Sequence, residues 1–392
     1  MKKLLLRLSF VMTFVFLIAP ALTAQRSTFG VAPAVRLPKD STTRLLLLSS
    51  LQGFLDQKEQ ENRLNSYVWQ PELPATSALL DEMKKIGYDD SLKNKDFFQP
   101  QLINCTLLKD STYLLQLSYD GNVNGLPFHR AEFRLLARRE QNSFFFYAPL
   151  KRNTIGWKYK KEGNVVFHYK DSLTIPDAKA YAYYDDLYMK KLNKSGQQTQ
   201  FYCCYDFQEV LQLAGIDYKS DYNGVSANSL SAYEQNTGIV LNGQFPSTLQ
   251  GFDPHDMWHE KLRTVMPAER INRPVDEGCA YLYGGSWGLS WEELKILFKA
   301  YVKAHPRTDW LQLYLDGTDF REGQEPLKVA YFINALLVQQ LEQEKGFAPV
   351  MELLGCGKKE KGDRNYFMAL EQLTNVNKEN FNTTVRSLIA SL

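Results

Sequence analysis

The alternation of apolar and polar residues divides the chain into stretches with different periods. After a proline-bearing, aperiodic lead-in at residues 25–40, apolar residues recur at helical spacing over 41–61 ("LLLLSSLQGFLDQ") and 75–87 ("ATSALLDEMKKIG"). From residue 99 the period falls to two. "QPQLINCTLL" turns at Lys109-Asp110 into "STYLLQLSYD", which turns through "GNVNG" into "PFHRAEFRLLARRE", and "NSFFFYAPL" follows. Two helices followed by an antiparallel meander predict a small α+β domain over residues 41–150.

A second unit is predicted from about 155 to 392. It starts with a strand, "NVVFHYK", and a helix, "IPDAKAYAYYDDLYMKKLN". A further strand and helix lie within "TQFYCCYDFQEVLQLAGI", and "NTGIVLNG" reads as a central strand. Beyond residue 253 the pattern is helical throughout. "SWEELKILFKAYVKAH" opens with a capping box, Ser290 and Glu293. "EPLKVAYFINALLVQQLEQEKG" places Pro326 in a first turn and Gly346 just past the end. The expected class is therefore α+β, with a mixed sheet and a helical C-terminal half in the second unit. No internal repeat is visible.

Length and composition fit two or three soluble globular domains: 392 residues, 44% hydrophobic and 23% charged. A net charge of +2 gives no electrostatic footprint for nucleic acid, and none is expected as a partner. The basic cluster "GKKEKGDR" at 357–364 carries acids within it and reads as a solvated loop. Residues 1–24 combine Lys2, Lys3 and Arg7 with an apolar run and a small-residue exit at Ala21–Ala24, the pattern of a secretory signal peptide. An uncleaved anchor is the alternative, since the apolar run approaches the length of a membrane span. No cysteine follows it to carry a lipid. The expectation is a secreted or periplasmic protein with no membrane association after cleavage. The five cysteines contain no CxxC and form neither a disulfide scaffold nor a cysteine zinc site. Cys203 and Cys204 read as strand neighbours, one facing in and one out.

Candidate chemistry is concentrated in "FDPHDMWHEKL", residues 252–262. Two histidines four apart on a helix, His255 and His259, can aim ring nitrogens at one ion. Zinc needs a third protein ligand. Glu277 in "RPVDEGCAYLYGG" follows His259 after 17 residues, enough for a turn and an antiparallel helix. Pro274 suits that helix's first turn, and Gly278 and Ala280 would let it pack closely on the first. The structural alternative is plain. Asp253 as N-cap, Pro254 at the first position and Asp256 in the first turn make an ordinary helix start. Asp276 and Glu277 are likewise first-turn acids.

From about 155 onward the chain resembles the gluzincin-type zinc metallopeptidases, specifically their peptidase MA-like domains. The family's HExxH is here His255-Asp256-Met257-Trp258-His259, and its glutamate helix is here Asp276-Glu277-Gly278-Cys279-Ala280-Tyr281. "VVFHYKDSL", "GIVLNG" and "YFINALLVQQLEQEKG" fall in the family's order. The resemblance implies zinc bound by His255, His259 and Glu277, Asp256 as general base, and hydrolysis of a peptide or protein substrate by zinc-activated water. It also implies an oxyanion-steadying side chain, for which Tyr281, Tyr283 and Tyr331 are candidates. The departure is Asp256, one methylene shorter than the family's glutamate. Glu260 does not restore the motif in a later register, because no second histidine follows it. The alternative function is an inactive gluzincin-fold protein that binds peptides or scaffolds others in the cell envelope. A third reading takes the motif as a pair of capped helices. The N-terminal domain resembles small cystatin-like or NTF2-like modules.

Overall fold

The computed structural model describes residues 29–223, 229–243 and 252–392. The expected signal peptide therefore lies outside the described residues.

The N-terminal elements are β1 (Gly30–Val31), α1 (Ser41–Asp56), α2 (Leu73–Met83), β2 (Gln99–Leu107), β3 (Tyr113–Val123), β4 (Leu126–Glu140), β5 (Ser143–Tyr147) and a short α3 (Leu150–Asn153). α1 begins where Asp40 accepts a bond from the Thr43 amide, and it stops five residues before the pattern predicted, at the polar stretch after Asp56. α2 ends four residues early because Lys85 takes a left-handed backbone, φ 57°. β2 to β5 form the antiparallel meander, packed on α1 and α2 through Leu51, Phe54, Leu79, Leu117, Phe133 and Phe146.

The middle of the chain supplies β6 (Lys158–Glu162), β7 (Val165–Tyr169), α4 (Ile175–Lys191), β8 (Gln198–Cys203), α5 (Phe207–Ala214), β9 (Ile216–Lys219), β10 (Ser229–Glu234) and β11 (Thr237–Asn242). Five of these strands make a mixed sheet in the order β10-β11-β8-β7-β6, parallel in the middle and antiparallel at both edges. β9 leaves it and pairs with β4 of the first sheet. The central strands β8 and β11 of the mixed sheet are buried on both faces, and their period-two alternation serves two cores. Phe201, Cys203 and Val240 face the C-terminal helices, whereas Tyr202, Cys204 and Leu241 face the N-terminal domain. Cys204 therefore points not to solvent but into a second core. Burial pushes the Cys203 thiol up to about 12, so it is chemically inert.

The C-terminal half contains α6 (Pro254–Arg263), α7 (Arg273–Gly284), α8 (Trp291–Ala304), α9 (Trp310–Asp316), β12 (Asp319–Arg321), β13 (Leu327–Lys328), α10 (Val329–Lys345), α11 (Phe347–Leu354), α12 (Arg364–Thr374) and α13 (Phe381–Ala390). The predicted α+β class holds, with a helical C-terminal half. One detail differs: Leu327–Lys328 pair with β12, so α10 starts at Val329 and Pro326 stands outside its first turn. α4 crosses from β7 to β8 and packs against α6. Tyr188 Oη donates to the Pro254 carbonyl at 3.0 Å, and its ring meets Trp258 edge-on at 5.5 Å. Among the described residues no helix is long and apolar enough to cross a membrane.

Candidate metal centre

α6 starts as its residues dictate. The Asp253 carboxylate accepts the His255 amide at 2.9 Å, and Pro254 fills a position whose N–H has no helical partner. The i, i+4 spacing then sets His255 and His259 on one face, with ring centroids 4.9 Å apart. α7 runs antiparallel beside it. His255, at the start of α6, meets Gly285 just past the end of α7, while His259 meets Asp276 near the beginning of α7.

Those contacts orient the rings. The Gly285 carbonyl lies 2.7 Å from His255 Nδ1 and can only accept, so Nδ1 carries a proton; Nε2 donates to Glu277 when the ring is charged and presents its lone pair when it is neutral. Asp276 Oδ1 does the same for His259 Nδ1 at 2.9 Å, and it also accepts from Trp258 Nε1 at 3.0 Å. Both Nε2 atoms turn toward one oxygen, Glu277 Oε2, at 3.4 Å for His255 and 4.0 Å for His259. One ligand atom from each of the three residues lies within 4.8 Å of the others. Zinc–nitrogen bonds of about 2.0–2.1 Å in tetrahedral geometry require ligand atoms about 3.3 Å apart, so the widest separation must close by up to about 1.5 Å to complete the set. The donor chemistry fits as well: two imidazoles with their second nitrogens anchored, and one carboxylate, all half-buried or buried. The buried His255–His259–Glu277 group could hold a metal ion.

Electrostatics bind the three together. Burial works to raise the Glu277 pKa, but the hydrogen bond from His255 and the charges of His259, His255 and Arg273 hold it below the usual carboxylate range. Burial works to depress His255, yet Glu277 and the Gly285 carbonyl carry it above an ordinary imidazole. Arg273 Nη2 grips the second oxygen, Glu277 Oε1, at 3.0 Å.

Close backbone approach positions these helices. A Cβ at Gly284 would lie 2.5 Å from the His255 nitrogen, so only glycine lets the end of α7 meet the start of α6. Gly285 follows with φ 78°, which aims its carbonyl back at His255. Gly278 serves a different contact from the one expected. Its missing Cβ makes room for Asn334 and Ala335 of α10, not for α6.

The site opens into a cleft of about 830 Å³. Asp256 is exposed on its wall, and among the described residues its carboxylate accepts no hydrogen bond. Tyr281 and Tyr331 also line it. Tyr283 does not, because its hydroxyl is turned away to donate to Glu342 at 2.7 Å. Trp287 stands half-exposed at the rim with φ 52°, an uncommon backbone for a bulky residue, and donates to the Pro326 carbonyl at 3.1 Å.

The spacing argument found the three candidate ligands and missed their supports. Asp276 was readable only as a first-turn acid. The one available signal was its position just before Glu277, which turns it about 100° around the helix toward the other side of the His259 ring. The role of Gly285 is a backbone one and has no side-chain signature. No known protein family matches the chain, and a search of characterised proteins found no match.

Proposed function

We propose that the chain is a secreted or periplasmic zinc metallopeptidase-like protein of gluzincin type, acting on a peptide or protein held in the α6–α7 cleft. The observation that carries this reading is the pair of anchored imidazoles whose Nε2 atoms face Glu277 Oε2. When bound, zinc supplies a Lewis acid that polarises a carbonyl oxygen and raises the acidity of water. His255, His259 and Glu277 would hold the ion, and Gly285, Asp276 and Arg273 fix their orientation. Asp253 is engaged as a helix cap, Asp276 with two donors and Glu277 with Arg273. That leaves Asp256 as the cleft carboxylate free to take a proton on an Oδ atom. Tyr281, whose ring centroid is 5.9 Å from that of His255, and Tyr331 are the two cleft tyrosines available to steady an oxyanion.

Aspartate places its oxygens about 1.5 Å short of where glutamate would, and a misplacement of about 1 Å can cost roughly a hundredfold in rate. The exposed, unoriented Asp256 therefore favours a second reading, a metal-bearing peptide-binding module without turnover. Peptide cleavage by the zinc-loaded chain and its Asp256→Glu variant separates the two. A large gain in the variant supports a weakened peptidase. Cleavage by neither form, with zinc bound, supports the binding module.

A further inference from the structure

The cleft is electrostatically divided along its length. Arg263 ends α6 one turn beyond His259, and Arg273 opens α7 one turn before Glu277. Because the helices are antiparallel, both arginines stand at the same end. The loop after α11 reaches that end too. Asn272 Nδ2 donates to the Gly357 carbonyl at 3.0 Å and the Gly357 amide donates to the Arg270 carbonyl at 3.1 Å, which brings Lys358 and Lys359 onto the cleft wall. The opposite end holds Ser286, Trp287, Pro326 and Lys328, whose charge is matched by Asp319 at 2.9 Å.

Of the four cations at this end, two have an acid partner and two have none among the described residues. Arg273 pairs with Glu277, and Lys359 lies 3.7 Å from the buried Asp363. Arg263 and Lys358 form no ion pair among the described residues, and both are exposed. Of the carboxylates lining the cleft, Asp253 caps α6, and Asp276 and Glu277 are engaged with the histidines and Arg273. Glu260, on α6 beside Arg263, acts on that arginine through charge without forming an ion pair among the described residues. The segment that reads in sequence as a solvated basic loop is largely exposed and also lines the cleft through Lys358 and Lys359.

We propose that this basic end selects substrates with a negative charge beside the reacting bond, either an acidic side chain or a C-terminal carboxylate. Four helical residues from His259 to Arg263 span about 6 Å, and an extended peptide advances about 3.3 Å per residue. The charge therefore sits about two residues from the bond at the metal centre. The inference rests on the reading of the cleft as a peptide site.

The test is fluorescence anisotropy with the full mature chain, metal-free and zinc-loaded. The probes are short peptides bearing an uncharged dye: an amidated peptide with two glutamates near one end, its glutamine and lysine counterparts, and the glutamine peptide with a free C-terminal carboxylate. The glutamate or free-carboxylate peptide should bind at least about fivefold tighter than amidated glutamine at low salt, the scale of favourable surface ion pairs. The preference should shrink as salt rises. The Arg263→Glu/Lys358→Glu double variant should lose it and favour the lysine peptide; a thermal melt confirms that the variant folds. Which of the two acidic probes gains most distinguishes a side-chain from a terminal carboxylate. Equal binding of all peptides, binding of none, or a preference unchanged in the double variant overturns the proposal. Zinc affinity measured on the same samples keeps the two readings apart. Zinc bound without charge preference sinks only this inference, and charge preference without zinc sinks only the metal reading.

Discussion

Asp276 Oδ1 lies 2.9 Å from Nδ1 of His259, while Nε2 of the same ring faces Glu277 Oε2 at 4.0 Å. Two successive residues of α7 therefore face opposite nitrogens of one imidazole, the first orienting it and the second completing with it the group that could hold a metal ion. Losing an orienting carboxylate of this kind typically weakens metal affinity about 10–100-fold. Asp276→Asn should fall in that range in a chelator competition, with the fold retained. Wild-type affinity in this variant would remove Asp276 from the site.

Zinc binding should stabilise the fold, because the three ligands come together only in the native chain. At free zinc about a thousandfold above its dissociation constant the gain is about 4 kcal/mol. That corresponds to a rise in melting temperature of several degrees, reversed by chelator. The Glu277→Gln variant should show no such rise. A rise of equal size in that variant would mean the ion binds elsewhere.

Gly284 is predicted to be intolerant of any side chain. The added methyl of Gly284→Ala would lie 2.5 Å from the His255 nitrogen and 2.6 Å from the Pro254 carbonyl carbon. Pushing α6 off α7 should cost about 1–3 kcal/mol, as overpacking does, and should also weaken zinc binding by displacing His255. Denaturant melts and zinc titration of the variant measure the two effects; unchanged values for both would contradict the contact.

Lys261 anchors α6 from its other side. It is fully buried, paired with Asp185 of α4, and Thr199 donates to the same Asp185 oxygen at 3.3 Å. Lys261→Met should destabilise the chain by about 3–5 kcal/mol, because it leaves the Asp185 carboxylate buried and uncompensated. Adding Asp185→Leu should recover most of that loss. A double variant no better than the single one would show that packing, rather than charge, sets the cost.

Much of this architecture is legible in the residue pattern. The strands β2 to β5 follow their period-two alternation, α4 and α8 their helical spacing, and the three candidate ligands their i, i+4 and antiparallel-helix geometry. What escapes reading does so for physical reasons. β9 is four residues of mixed polarity, "IDYK", whose strand state comes from pairing with β4 and not from its own pattern. β10, "SLSAYE", looks polar because it is an edge strand. Lys261 reads as an ordinary surface lysine, and only the tertiary position of Asp185 explains its burial. Lys358 and Lys359 look solvated from their neighbours in sequence and gain a cleft only when Asn272 and Arg270 tether their loop. Gly278 signals close packing, but the helix it meets depends on the fold, and the contact of Gly284 with α6 appears only in the structure.

Metal analysis of the purified chain, equilibrated with zinc and then freed of excess, tests the central claim most directly. One zinc per chain is predicted for the wild type, with loss of the ion in His255→Ala, His259→Ala and Glu277→Gln variants that still fold. A wild-type chain that retains no zinc, or variants that retain it fully, would contradict the assignment of His255, His259 and Glu277 as its ligands.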